Sequence, residues 1–558
     1  MKKIYRIIVL FVMATLFANA QVTVNGGPTL TYTSLNTAFA AINAGTHFGA
    51  ITIDITGNTI EGVTGYAPTP LLASGQSLAN YSSIVIRPTV QATVSGSPAT
   101  GRGVIELDGA DNVTIDGDIV AGPVQKDLTF NHTGLNSLAA TAVIRFIGRT
   151  TLGLGATNNT VTNCVIIGNT EGYDGISGST VVNSYGIYFG SNVASLATGG
   201  LGDNYDNNVI SNNEIKKAYF GIWLGGTTAN PADNNLISGN TIGSNTAGET
   251  VSFGGIGLSS LVTSTITQNE IFNLKLNTSV NNYGIQIAGS SSSSVTISRN
   301  RIHGIHSLST SGFGAYGINL TAGSGHLVVN NVIYDLMTTN NSSTTLINNA
   351  FGIRITSGTG IGVYYNSVNL YGQINLGTSS SVGSSAFAVT STGVTGLEVK
   401  NNIFNNTQTT TVTTVATKKF MAVWFPTSYN FLNANLDNNA YTVTNDADHF
   451  VGKVGLTNNV NEGANLSNWQ ALSQVNNLNN DVNSGPVFNF PAPFTSNTNL
   501  TFAANTNFFA ESGAVLIPAL GTNIDHNANV RPLAGINPNT APDMGAYEFD
   551  GINGFPTD

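Results

Sequence analysis

Glu270 and Arg301 each follow an Asn, in segments 31 residues apart, and Arg299 flanks the same place. If those segments stack, a carboxylate and an arginine stand side by side about 5 Å apart. The pairing reads first as a cross-strand ion pair, and second as a catalytic acid beside an arginine that neutralises a substrate charge. His303 and His306 offer two metal ligands at i, i+3 with no third in view, or two solvated loop histidines. Asp203, Asp206 and Asp233 could hold Ca²⁺ in stacked turns, although turn formation is the plainer reading. A further set shares one position of a recurring segment: Tyr188, Trp223, Gly257, Gln286, Asn319 and Arg354. Two aromatics followed by amides and an Arg would make a track for a sugar chain, since rings stack on sugar faces and amides bond hydroxyls. The competing expectation is that a loop covers Tyr188 and Trp223.

These residues are positioned by a repeat. An Asn, a gap of one residue and an apolar residue recur at Asn213, Asn240, Asn269, Asn300, Asn331, Asn366 and Asn402, at intervals of 27, 29, 31, 31, 35 and 36 residues. Three residues before each Asn stands Ile210, Ile237, Ile266, Ile297, Val328, Val363 or Val399. Between these units lie short segments of aromatic-Gly-Ile type, such as Tyr185–Phe189, Phe220–Leu224, Tyr283–Ile287, Tyr316–Leu320 and Phe351–Ile355, with Gly254 in the aromatic slot of one. Period-2 alternation and β-branched composition make both kinds of segment strands. A period of this length is the mark of a solenoid, and two strands per repeat joined by Gly, Asn and Ser turns describe a rung of a parallel β-helix. The Asn is expected to take the left-handed conformation at a sharp corner and to bond the Asn of the next rung. A lone rung cannot offset the entropy of ordering its own chain, so neighbours must share a core.

Leu107–Gly117 (LDGADNVTIDG) resembles the opening rung of right-handed β-helix proteins of the pectin-lyase-like superfamily. Ser34 to Gly45 places Leu35, Phe39 and Ile42 on one helical face, with Ser34 as N-cap and Gly45 as stop, and resembles the helix that plugs such solenoids. Asp525 to Glu548, ending in Pro542-Asp543-Met544-Gly545-Ala546-Tyr547-Glu548, resembles the tail of many secreted bacterial members. The resemblance spans roughly residues 22–550. It implies an all-β, single-stranded right-handed parallel β-helix with a helical N-terminal cap and an irregular C-terminal cap. It says little of activity, because the fold hosts lyases, hydrolases, adhesins and spacers. The pectin-hydrolase pattern is missing: there is no Asp-Asp pair and no Gly-His-Gly.

Residues 1–20 read as a secretory leader: Lys2, Lys3 and Arg6, the apolar run Ile7 to Phe17, then Ala18-Asn19-Ala20. That run is too short to span a bilayer, and no later stretch is long enough. The chain is therefore expected outside the cell or on its surface, as a monomer without a transmembrane segment. Cys164, the single cysteine, excludes an intramolecular disulfide and reads as a rung residue rather than a nucleophile. Charged residues make up 9% of the chain, against about 25% in an average domain. Loss of the leader's three basic residues would take the net charge from −10 to −13, which argues against nucleic acid as a partner.

The predicted organisation is an N-terminal cap and first strands over 21–100, the main helix over 101–440, C-terminal rungs and cap over 441–550, and a tail over 551–558. The last part loses the repeat and is expected to close the open end, whose unpaired edge invites aggregation. Loops at 192–204 and 338–350 should absorb the variable rung lengths. The preferred function is a rigid exported solenoid that binds polysaccharide or cell-surface glycans, or serves as an adhesin or structural element, without a cofactor unless Ca²⁺ is used. A polysaccharide lyase or glycoside hydrolase is the alternative. An ice-binding solenoid would need a uniform Thr-x-Thr column, and the columns here are mixed.

Overall fold

The computed structural model describes residues 20–119, 124–134, 140–149, 153–169, 184–192, 196–309, 312–339, 349–374, 381–411, 417–455, 460–485, 492–517, 524–532 and 541–553. Residues 1–19, in the span read as a leader, residues 554–558, in the span read as a tail, and parts of both predicted loops lie outside the described residues. Among those described, the chain coils into three sheets of 14, 12 and 13 strands. One rung runs Thr265–Thr267, Glu270–Leu276, Asn282–Ala288, and the next runs Thr296–Ser298, Arg301–Ser307, Ala315–Leu320. Successive rungs pair in parallel, so the fold is the expected parallel β-helix, right-handed as parallel crossovers are. Rungs already form at Phe48–Ile55, Thr59–Tyr66 and Leu71–Leu72, inside the span read as cap and first strands.

The first sheet has three-residue strands over most of its length because a left-handed residue bounds each strand on both sides. Before the strand stand Asn158, Asn207, Asn234, Thr263 and Ser294; after it stand Asn163, Asn212, Gly239, Gln268, Arg299, Asn330, Tyr365, Asn401 and Asn438. From Asn212 to Asn438 this second row has φ between 51 and 64°. The left-handed conformation therefore falls on the residue before the repeating Asn, not on that Asn as the sequence suggested. The repeating Asn turns inward instead. From Asn213 through Asn240, Asn269, Asn300, Asn331, Asn366 and Asn402 to Asn439, each Nδ2 donates to the next Oδ1 at 2.9–3.0 Å. Cys164 fills the same slot one rung earlier, and its backbone N–H donates to Asn213 Oδ1. A second, shorter ladder of Asn159, Asn208, Asn235 and Ser264 lines the opposite corner.

Antiparallel strand pairing closes both ends, at Val22–Asn25 and at Glu462–Gly463. Helix α1, Leu35–Asn43, is capped by Ser34 and buries Leu35, Ala38, Phe39 and Ile42. The buried Glu61 carboxylate accepts from the first two helical N–H groups, Leu35 and Asn36, where a negative charge is favoured. At the far end α2, Leu466–Ser473, lays Trp469 over the last rung. A Cβ at Gly452 would stand 2.2 Å from that indole, so the final strand needs glycine there. The described residues after 491 do not sit on the open end. They return along the flank, over rungs passed long before.

Asn300 alone accepts from Asn269 N and Nδ2 and donates to Ile266 O and Asn331 Oδ1, at 2.9–3.0 Å. Asn300→Ala strands these buried groups and should lower the unfolding free energy by about 2–4 kcal/mol. Equilibrium denaturation checks this, and an unchanged midpoint would refute the ladder's role.

Candidate functional site

The residues that follow the ladder Asn alternate out and in. Glu270, Arg301 and Val332 align in the first outward position, and Phe272, His303 and Tyr334 in the next. These three strands run seven residues and bend at left-handed Asn273, Gly304 and Asp335. The bend swings Lys275, His306 and Met337 onto a facet of their own.

Three rings stack down the outward column: Phe272 on His303 at 5.5 Å and His303 on Tyr334 at 4.6 Å between centroids. Arg301 donates through Nε and Nη2 to the Tyr334 hydroxyl, at 3.0 and 2.7 Å. Glu270 Oε1 lies 3.4 Å from His303 Nε2 and 4.0 Å from Arg301 Nε. The expected neighbours thus meet, with His303 inserted as a third member. Its hydrogen bond, followed by the Arg301 charge, holds the Glu270 carboxyl below the usual range against partial burial. Burial pushes the Tyr334 hydroxyl up, and the Arg301 hydrogen bond opposes that. His306 pairs with Asp335 at 3.1 Å. Burial pushes Asp335 up, but the His306 hydrogen bond and the nearby imidazole and lysine charges carry it below the ordinary range.

The returning C-terminal residues complete the site. Arg299, on its left-handed corner, donates Nε to His526 O at 3.0 Å, and Arg301 Nη2 donates to Thr498 O at 3.3 Å. Between solenoid and flank opens a cavity of about 370 Å³, lined by Gln268, Asn269, Glu270, Arg299, Arg301, His526 and Asn527. All three residues proposed as a catalytic group line it. Arg301 and Glu270 keep 43% and 45% of their side-chain surface, so a solute can reach both. The sequence reading passed over Tyr334, although counting three residues on from each Asn places it under His303. Nothing periodic announced His526 or Asn527.

The predicted sugar track has the expected register and the wrong environment. Tyr188, Trp223, Gly257, Gln286, Asn319 and Arg354 align rung by rung and point out of the core. Tyr188, Trp223 and Asn319 are nevertheless buried, at 0, 2 and 3% exposure. The turn after the strand folds back over Tyr188, whose hydroxyl donates to Ala197 O. Trp223 packs among Tyr185, Tyr188, Phe220 and Tyr283 in an apolar cluster outside the sheet. Asn319 donates to Gln286 at 2.9 Å and accepts from Arg354 at 3.2 Å, and the guanidinium lies 4.8 Å over the Tyr316 ring. Polar groups that were to meet hydroxyls meet one another. One rung earlier the same column holds a buried ion pair, Arg145 with Glu106 at 3.0 Å.

Two of the three aspartates bond the turns around them: Asp203 accepts from Thr227 and Asp206 from the Asp233 N–H. Burial and the Asp206 charge push Asp233 up. Among the described residues no three His, Cys, Asp or Glu side chains gather to hold a metal, and no helix is long and apolar enough to cross a membrane.

Trp223→Ala should cost about 3–5 kcal/mol of stability, the ordinary loss for a large buried aromatic. Thermal unfolding checks this. An unchanged melting temperature would restore the column as an exposed track.

A family model described as NosD, a periplasmic copper-binding protein, matches residues 133–335. No curated protein matches the chain. Among solved structures, the A-module of mannuronan C-5 epimerase AlgE6 from Azotobacter vinelandii is 11% identical over 76% of this chain and 92% of its own, with a TM-score of 0.34. A mannuronic acid specific polysaccharide family 6 lyase from human gut microbiota is 14% identical over 76% and 81%, with a TM-score of 0.35. The Dettilon tailspike protein is 12% identical over 63% and 61%, with a TM-score of 0.30. Scores at this level transfer no residue roles. Among the described residues no three His, Cys, Asp or Glu side chains gather, and Cys164 is buried in the ladder with Sγ on Thr162 O, so the described residues do not form a copper centre.

Proposed function

We propose that this protein is an exported, rigid β-helix that holds an acidic glycan at the cavity between the second sheet and the C-terminal flank. The observation that carries the reading is the convergence of Arg299 and Arg301 on one open polar cavity in a chain with few, scattered cations. Arg299 is already oriented by one bond to a carbonyl and Arg301 by three, two to the Tyr334 hydroxyl and one to a carbonyl, and their remaining N–H groups can meet a sugar carboxylate as charge-assisted hydrogen bonds. Gln268 and Asn527 supply amides for hydroxyls, and half-buried Phe272 extends the ring column away from the cavity. The rigid ladder underneath keeps these groups in place, so little ordering accompanies binding.

One observation favours the alternative, a polysaccharide lyase or glycoside hydrolase. His303 stands between Glu270 and Tyr334, so groups able to take and give protons sit beside two arginines. Acidic and neutral polysaccharides on an affinity gel, followed by assays for unsaturated and reducing ends, separate the two. The expected result is retention of an acidic polymer without product, with Arg299→Ala, Arg301→Ala weakening it about tenfold or more. Retention that survives the double substitution would sink the pocket. Product formation abolished by Glu270→Gln would establish the enzyme instead.

A further inference from the structure

The described C-terminal residues seat on the corner row in reverse rung order. Asn438 donates to Gly513 O, Asn401 exchanges two bonds with Val515, Tyr365 donates to Val515 O, and Asn330 donates to Ile524 O. Arg299, with His526 O, is the last peg. These residues form a strap, and a buried knot ties it. Arg531, 2% exposed, pairs with Glu548 and donates to Asp543 O, Gly545 O and Asn330 Oδ1 at 2.9–3.1 Å. Its guanidinium lies 4.1 Å over the Tyr365 ring of the solenoid. Asp543, equally buried, accepts from Ser512 N and Phe549 N, both at 2.7 Å.

The charges in the knot do not balance. Among the described residues the groups facing it are one fixed cation, Arg531, the carboxyls Asp525, Glu511, Asp543, Glu548 and Asp550, the Tyr365 hydroxyl and, at its edge, the His526 imidazole. Burial holds Asp543 above the usual range and Glu548 adds to it; burial holds Glu548 up as well, with Arg531 opposing but not reversing the shift. A cavity of about 230 Å³, lined in part by Glu511, Asp543, Glu548 and Asp550, opens beside these carboxyls. The knot is bonded directly to the wall of the arginine pocket. His526 N donates to Ala546 O at 2.7 Å, Glu548 N donates to Asp525 Oδ2 at 3.1 Å, and His526 Nδ1 meets Asn330 O at 3.0 Å.

We propose that the strap is an acid-locked wall of the arginine pocket, seated while the knot keeps a proton and lifted when both of its buried carboxyls ionise. Both carboxyls bind protons more tightly in the seated strap than in a freed one. The knot therefore supports seating below neutrality and weakens as pH rises through it, about tenfold per pH unit for each proton involved, while the His526 imidazole, held below its usual range by burial, opposes seating toward strongly acid pH. Lifting removes His526 and Asn527 from the cavity and frees Arg299 from its carbonyl. The consequence for glycan rests on the proposed function; the lifting itself does not.

Hydrogen–deuterium exchange of the whole protein from mildly acidic to mildly alkaline pH, corrected for intrinsic exchange, tests the inference. Peptides covering 511–517, 524–532 and 541–549 should lose protection by about tenfold or more across the series, while the ladder from Asn213 to Asn439 keeps its own. Glu548→Gln, which removes the charge but keeps the Oε1 that accepts from Arg531 and from Asp543 N, should hold the strap seated at the alkaline end. Strap protection that ignores pH in the wild type, or strap and ladder opening together, overturns the proposal. Glycan retention is followed on the same samples at acid pH. A responsive strap with no retention refutes the pocket and supports the strap, and retention with an unresponsive strap does the reverse.

Discussion

A side-chain amide at the corner between the first two sheets sets the geometry of this molecule. Each ladder Asn receives from the rung below and donates both to the rung above and to a backbone carbonyl, as Asn300 does with Asn269, Asn331 and Ile266. A buried amide so saturated tolerates neither a slip of register nor a change in spacing, since either would leave polar groups unpaired in a dry interior. Chain length can vary elsewhere in the rung, and it does. The corner cannot, which is why one Asn per rung recurs while the intervals drift from 27 to 36 residues.

The fixed corner has a second effect. Because the residue before each ladder Asn is forced into the left-handed region, its side chain projects outward at every rung. Asn and Gly bear that conformation easily; Gln268, which lines the cavity at the strap's end, bears it under strain, as do Arg299 and Tyr365. The last two touch the strap, Arg299 at His526 O and Tyr365 at Val515 O and Arg531. The strain is thus accepted where the corner serves as a docking row. Gly545 of the C-terminal motif shows the fit from the other side, since a Cβ there would meet Ser367 Oγ at 2.7 Å and Ile403 Cδ1 at 2.6 Å.

What the sequence made legible follows from this corner. The register of the ladder follows from the Asn spacing, and with it the adjacency of Glu270 and Arg301 and the outward direction of Tyr188 and Trp223. Direction is a local property and parity supplies it. Exposure is not local: it depends on which turn folds over which sheet, and the turn that covers Tyr188 through Ala197 O carries no period. The N-terminal plug was legible because Ser34, Leu35, Phe39 and Ile42 are close in sequence and obey one helical rule. The strap was not, since its contacts join residues such as Arg299 and His526 that are 227 positions apart.

Repetition also explains why the candidate site lies where it does. A perfect solenoid presents the same face at every rung and offers nothing concave. Here two irregularities coincide on the same rungs. Second-sheet strands lengthen and bend at Asn273, Gly304 and Asp335, and the strap ends its run along the corner at Arg299. Between the bend and the strap's end the surface becomes a cavity, and the arginines, a carboxylate and stacked rings fall inside or beside it. Glu106 with Arg145 is the instructive contrast, an equally charged pair on another rung that is covered and spends itself on structure. Charge alone does not mark the functional position on this fold; a break in the repeat that leaves charge open to solvent does.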